Sequence, residues 1–534
     1  MSVQIQSDTP LGEIDNIVNR LKTRFASRAT YSLDYRIYHL KQLAYLIKDN
    51  EKLIHAALKE DLDKGSWAVD IEELYPIINE IDLAIRKLPE WMKTESRSAD
   101  AILTFKFIGP RIVKQPKGVV LIIGPWNFPI QCVLIPLVNA IAAGCPVVLK
   151  PSELSPAVSA LLAELIPRYL DPEAYAVVAG GIEHSTKLLE KEWGHIIYTG
   201  STRVGRIVAA AAAKTLTPTT LELGGKSPVI VAECANIPIA MKRMLSLKQG
   251  NIGQMCVSPD YILCVRSRAD ELVSFCKNTL DEWWPPHPHP QSFLNTPATA
   301  RLASKAGYAR QLSFLADAEQ AGTLIYRGET DEEKQRMGIS LVLLDKGKNG
   351  GKVMEEEIFG PVLPIIVVED LDEAIQFVND RPHPLALYGC ATDKSTRKRI
   401  TTETISGSLT FNDFGVATIN RSLPFGGVGE SGWGSYHGRD GFDTFTHRKP
   451  VLNSPFWVEA AQKVRYPPLT PLKAKIARLS FLIPITYARP TSVENEMWKR
   501  KRRAIARWLA LVILGLAGGW FGLAAVGARE RWGY

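Results

Sequence analysis

Short apolar runs bounded by Gly and Pro alternate with helical stretches from residue 118 onward, and this alternation constrains the fold more than any other feature of the chain. The runs read VVLIIG at 119–124, PVVLK at 146–150 and HIIYTG at 195–200, each followed by a helical stretch. Strand, turn and helix in repeated succession build a parallel sheet with helices on its faces, the class that binds nucleotides beyond the C-terminal ends of its strands. A second round begins after Glu222, with SPVIVA, YILCVR, a helix around Ala269 to Trp283, and strand candidates near Val342 and Ile365. The first hundred residues read as helices instead. Ile14, Ile17, Val18, Leu21 and Phe25 recur at helical spacing, and Leu40, Leu43, Ile47, Ile54 and Leu58 continue the pattern.

At 534 residues the chain exceeds one compact core, so two main lobes with appendages are expected. A hydrophobic share of 46% and a charged share of 22% fit a folded, enzyme-sized body. The net charge of +8 suggests nucleic acid only until its position is read. Arg448 to Arg507 hold 14 Lys or Arg against three acidic residues, which leaves residues 1–447 mildly acidic. A basic terminal segment on an acidic body points to a membrane surface, and no nucleic-acid partner is expected. Seven cysteines without CxxC or Cys/His spacing indicate neither a disulfide framework nor a zinc site, and they suit a reducing compartment. The nine histidines, among them His184, His195 and His437, also lack metal spacing and are assigned to structure. No metal is expected. MSVQIQSDTP lacks the basic and apolar regions of a secretory signal, so the catalytic body is expected to face the cytosol.

Three motifs carry chemistry. GPWNFP at 124–129 follows a buried strand and projects Asn127 at the sheet's C-terminal edge. ELGGKSP at 222–228 sets a carboxylate ahead of two glycines that permit close approach of a ligand or backbone. GNIGQMC at 250–256 places Cys256 after two glycines. Singly, each has a mundane reading as a turn, a linker with a solvated Glu, or an inert core thiol.

Together, and in this order, they resemble the aldehyde dehydrogenase superfamily over about residues 10–450. KPSE at 150–153, TGSTRVG at 199–205, EEIFGPVLP at 356–364, FND at 411–413 and PFGGVGESGWGSYHG at 424–438 extend the match. The TGSTRVG wording, the GSYHG close and RYPP at 465–468 are similar to the class 3 branch, which includes fatty aldehyde dehydrogenases, with β-apo-4′-carotenal-oxidising enzymes as plausible relatives.

The resemblance implies a mechanism. Cys256 is the nucleophile, and its thiol, with a reference pKa of about 8.5, needs a base. Glu222 matches the general base that also hydrolyses the thioester, although Glu357 remains open for that role. Asn127 and the Cys256 backbone N–H stabilise the oxyanion, a donor of this kind being worth about 3 to 4 kcal/mol. GxGxxG is absent, yet the resemblance implies a nicotinamide dinucleotide: Lys150 and Glu153 at the adenosine ribose, and Gly200, Ser201, Val204 and Gly205 near the pyrophosphate. It also implies Glu357 at the nicotinamide ribose, with Phe359 and Trp126 beside it. A carboxylate at Glu153 repels a 2′-phosphate, which favours NAD, while NADP stays possible. Met255 before Cys256 departs from relatives and can shape an apolar tunnel.

The expected architecture is α/β: two Rossmann-like three-layer lobes, a small β dimerisation extension and a C-terminal transmembrane helix. Residues 1–98 and 120–225 form the NAD-binding domain and 226–412 the catalytic domain. Residues 99–119 and 413–447 form the oligomerisation segment, 448–503 a basic wrap and linker, and 504–528 the transmembrane anchor. The anchor rests on 21 uncharged residues from Trp508 to Ala528 behind Lys499, Arg500, Lys501, Arg502, Arg503 and Arg507. It implies a tail-anchored enzyme, at the endoplasmic reticulum or the mitochondrial outer membrane, that takes a hydrophobic aldehyde. A homodimer is implied by the family. The rival readings are an inactive membrane scaffold, against which the intact Cys256, Glu222 and Asn127 argue, and an enzyme passing its thioester to coenzyme A, against which Glu222 argues.

Overall fold

The computed structural model describes residues 8–510 apart from 287, 297–299, 346–350, 482 and 484. Two compact units emerge, one of Met1–Ser96 with Arg111–Val451 and one of Arg97–Pro110 with Leu452–Tyr534.

The first unit carries both expected lobes. The apolar runs become strands Val120–Ile123, Val147–Lys150, Tyr175–Val177, His195–Gly200 and Thr219–Leu223, all parallel. Val120–Ile123 lies in the middle, with Val147–Lys150 then Tyr175–Val177 on one side and His195–Gly200 then Thr219–Leu223 on the other. The chain therefore reverses its direction of winding between Val120–Ile123 and His195–Gly200, the switch point beyond which such sheets bind ligands. The short strand Gly432–Trp433 closes one edge, antiparallel to Thr219–Leu223, with Gly432 opposite Glu222.

The second sheet runs Leu324–Tyr326, Ser340–Leu344, Val362–Val368, Pro259–Val265, Ser227–Val231, Ala386–Cys390 and Ser408–Phe411, and only its first strand is antiparallel. Val229, Ile230, Ile262, Leu263, Leu363 and Ile365 have no exposed surface, as continuous apolar runs covered on both faces require. A three-stranded antiparallel extension joins Glu95–Ser96, Arg111–Pro116 and Thr446–Val451.

The N-terminal helices are Glu13–Ala26, Leu33–Asp49 and Glu51–Leu62, and the periodic residues Ile14, Val18, Leu21, Leu40, Leu43, Ile54 and Leu58 face the core. The second unit includes the helix Pro471–Phe481, whose Phe481 ring meets Phe105 at 5.9 Å, and Asn453 N–H donates to the Ile108 carbonyl at 2.8 Å.

One expectation is corrected. Among the described residues no helix is long and apolar enough to cross a membrane, so the described fold consists of two lobes and a small β extension, and the transmembrane helix expected over 504–528 is not found among them. Of the expected span the structure describes only 504–510, which are helical and include Arg507, and an ionised side chain in hydrocarbon costs about 2.5–3.5 kcal/mol or more. Residues 511–528 lie outside the described residues. The membrane as a partner and the tail-anchored location at the endoplasmic reticulum or mitochondrial outer membrane rested on that helix and are withdrawn with it.

Candidate active site

A cavity of about 750 Å³ opens in the first unit, with Cys256 and Glu222 both in its walls. Most of its lining is apolar, including Phe128, Met255, Val257, Trp284, Phe414 and Phe425.

Cys256 ends an unusual turn. Asn251 and Ile252 adopt left-handed φ of 43° and 51°, and Gly253 has φ of 70°. A Cβ on Gly253 would sit 2.3 Å from the Gly360 carbonyl oxygen, so only glycine lets the Cys256 loop press against the loop that carries Glu357 and Phe359. Burial, followed by the nearby charges of Glu357 and Glu222, pushes the Cys256 thiol up to about 12. The thiol is therefore neutral at rest.

Glu222 lies near the C-terminal end of Thr219–Leu223, 2% exposed, and neither carboxyl oxygen has a protein hydrogen-bond partner. Burial alone drives its pKa well above the usual carboxylate range. Asn127 is buried beside the thiol loop. Its Nδ2 donates to the Gln254 carbonyl at 2.9 Å, and its own carbonyl accepts from Lys64 Nζ at 3.1 Å and Asn251 Nδ2 at 3.0 Å. The amide carries two N–H groups and only one has a protein acceptor, which leaves one donor available.

Glu357 is held against the catalytic-lobe strands. A Cβ on Gly224 would lie 2.1 Å from Glu357 Oε2, so the glycine makes room for the carboxylate. Burial and Asp260 raise Glu357 to about 8, offset in part by the Gly225 N–H, Lys226 and Arg310. Asp260 Oδ1 accepts from Ile358 N–H at 2.9 Å, and Arg310 Nη1 donates to the Glu357 carbonyl at 3.0 Å. Lys226 Nζ donates to the Val353 carbonyl at 2.6 Å and the Glu356 carbonyl at 3.0 Å. Sequence reasoning missed Asp260 and Arg310. Lys226 stood inside ELGGKSP and could have been found there.

The edge of the first sheet suits a dinucleotide by its donor set. Lys150 is buried, with Nζ donating to Glu153 Oε2 at 3.1 Å and the Pro151 carbonyl at 2.7 Å. Ser201 caps the helix Thr202–Lys214, its Oγ accepting from Val204 N–H at 3.4 Å, and the free N–H groups of such a first turn attract phosphate. Gly200 ends its strand, and Gly205 packs against Leu223 where a Cβ would lie 2.5 Å from the Leu223 side chain. Trp126 and Phe359 meet edge to face at 5.5 Å. The contacts are pairwise: Lys150 with Glu153, Ser201 with Val204, Gly205 with Leu223, and Trp126 with Phe359.

Other groups gathered here were not anticipated. Lys64 and Glu73 form a fully buried ion pair at 2.7 Å, and Glu73 Oε2 also accepts from Gln131 N–H at 2.8 Å. Isolated charges this far apart in the chain leave no periodic signal. Glu51, His55 and Asp70 also gather, their ligand atoms within 4.8 Å of one another, although His55 already binds Asp70 at 2.8 Å as an ordinary pair.

Two lobes built on mainly parallel sheets around a half-buried cysteine and an orphan carboxyl, with a dinucleotide-suited edge, fit a nicotinamide-dependent dehydrogenase of the cysteine type. The aldehyde dehydrogenase family model matches residues 4–451, and the chain belongs to that family. It falls in the class 3 branch. Aldehyde dehydrogenase family 3 member A2 of Pongo abelii is 42% identical over 453 residues, covering 84% of this chain and 90% of that one. The dimeric NADP-preferring aldehyde dehydrogenase of Canis lupus familiaris is 40% identical, covering 86% and 98%. The substrate-bound Staphylococcus aureus AldH superposes with a TM-score of 0.82 at 37% identity, covering 87% and 99%. The protein is an NAD(P)-dependent aldehyde dehydrogenase.

Proposed function

We propose that this enzyme oxidises a hydrophobic aldehyde, a long-chain fatty or isoprenoid one, to its carboxylic acid through a thioester on Cys256. The observation that carries the reading is the apolar cavity that ends on Cys256 and Glu222. An apocarotenoid aldehyde is the alternative within the same reaction, since a polyene would bury equally well in such walls.

Cys256 passes its proton, relayed by water, to Glu222, and the thiolate sulfur bonds to the aldehyde carbon. The free N–H of Asn127 and the Cys256 backbone N–H donate to the oxygen as it gains charge. NAD(P), which Lys150, Glu153, the Gly200–Gly205 turn and Glu357 would hold, would supply the acceptor for the hydride lost as the adduct becomes a thioester. Glu222 releases that first proton to solvent and then takes one from the attacking water, the carbon–sulfur bond breaks with the sulfur leaving as thiolate, and the acid departs. Glu222 is preferred to Glu357 as base because neither of its oxygens has a protein hydrogen-bond partner, whereas Glu357 is engaged by the Gly225 N–H. Residues 1–98 and 120–225 hold the cofactor, 226–412 supply the thiol, and 99–119 with 413–447 pair subunits into a dimer.

Two measurements test the reading. Cys256→Ala should abolish NADH production while NAD still binds by titration calorimetry, and substantial turnover in that variant sinks the thioester. The ratio of kcat/KM over hexanal, hexadecanal and a long polyene aldehyde should rise with chain length. A profile that falls with length places the substrate elsewhere.

A further inference from the structure

The helix Ile237–Gln249 leads into the turn that carries Cys256, and Lys242, Ser246 and Gln249 line the cavity from it. Residues four and then three apart share one face of a helix. At a rise of 1.5 Å per residue, Lys242 stands about 10 Å along the axis from Gln249, at the helix end remote from the thiol turn.

The other charges in the cavity wall are answered. Lys64 is paired with Glu73. Arg243 Nη1 donates to the Asn412 carbonyl at 2.8 Å and lies 3.5 Å from Asp413 Oδ2. Burial pushes the carboxyls of Glu222 and Glu72 up, toward their uncharged forms, and holds His437 well below the ordinary imidazole range. Lys242 is exposed, and among the described residues no acceptor or acidic group pairs with its ammonium. The Ser246 hydroxyl, one turn nearer the thiol, is also exposed and without a partner among the described residues. A cavity of mainly apolar walls thus carries one uncompensated positive charge, with a hydroxyl donor beside it.

We propose that Lys242 and Ser246 receive a carboxylate at the far end of the aldehyde. The preferred substrate is then a long-chain aldehyde that bears an acid at its other end, rather than a plain hydrocarbon aldehyde. A hydrocarbon tail reaching Lys242 gains nothing from an ammonium, whereas a carboxylate there accepts a charge-assisted hydrogen bond. This rests on the proposed function, in which the cavity receives the aldehyde's chain.

The test compares ω-carboxy aldehydes of increasing chain length with their uncharged methyl esters by kcat/KM. In the wild type the acid should be favoured about fivefold over its ester at one chain length, roughly 1 kcal/mol, with the gain in KM rather than kcat. Added salt should shrink that preference, because the pair is open to solvent. Lys242→Met should erase it, Lys242→Glu should reverse it in favour of the ester, and Lys242→Arg should retain it. Equal KM for acid and ester at every length in the wild type overturns the proposal, and so does a preference that survives Lys242→Met. An enzyme that oxidises neither acids, esters nor plain long-chain aldehydes speaks against the proposed function, whereas oxidation of all three with no advantage for the acid speaks against this inference alone.

Discussion

Replacing Glu222 with Gln tests stability and catalysis at once. In the native protein the carboxyl is 2% exposed, both oxygens lack partners, and burial alone raises its pKa. A carboxyl whose folded pKa exceeds its unfolded value of about 4.3 binds its proton more tightly when folded. Its contribution to stability is therefore complete below that value and is lost as pH rises toward the folded pKa. Each tenfold difference in proton affinity is worth about 1.4 kcal/mol, and burying an unpaired ionisable group costs several kcal/mol. Unfolding entropy near 2.1 cal/mol/K per residue implies that about 1 kcal/mol moves the Tm of a chain this long by roughly 1 °C. From pH 5 to pH 9 the wild type should lose more Tm than Glu222→Gln, a variant with no proton to release. The same variant should hydrolyse its thioester about 10²–10⁴-fold more slowly, the usual worth of a general base. Rapid mixing should then show a burst of NADH followed by a slow steady state. Parallel loss of burst and steady state would place Glu222 in thiol activation alone and hand hydrolysis to Glu357. Identical pH dependence of Tm in the two proteins would refute the buried, unpartnered carboxyl.

Asn127→Ala should lower kcat by about 10²–10³ with little change in KM for NAD, because it removes one oxyanion donor; an unchanged kcat assigns the oxygen to other donors. If the Glu153 carboxylate meets the ribose 2′-hydroxyl, as proposed, wild-type kcat/KM should favour NAD over NADP by at least about tenfold, roughly 1.4 kcal/mol, and parity would show Lys150 masking it. Lys64→Met should destabilise by about 3–5 kcal/mol, because it strands Glu73 as a buried charge. Adding Glu73→Met should recover most of that loss in denaturant melts, and no recovery would show that the pair does not act as a unit.

The lobes were legible because their signal is local. VVLIIG, PVVLK and HIIYTG are apolar on every residue, and only a strand covered on both faces accommodates that. Cys256, Glu222 and Asn127 were legible because they sit in contiguous motifs beside glycines that a close approach demands. The membrane helix was misread because an uncharged stretch shows only that a segment tolerates hydrocarbon. Among the described residues no helix is long and apolar enough to cross a membrane.

Sequence alone determined the family and the order of strands and helices, since each of these is written in short stretches of chain. Tertiary structure alone decided what surrounds them. Lys64 meets Glu73, Lys226 meets Asp260, and Arg421 meets His437. Those partners come from separate elements, and electrostatics acts through distance in space rather than along the chain. Whether Glu222 is left without a partner is likewise a property of the packed cavity, because burial is set by every segment that closes over it.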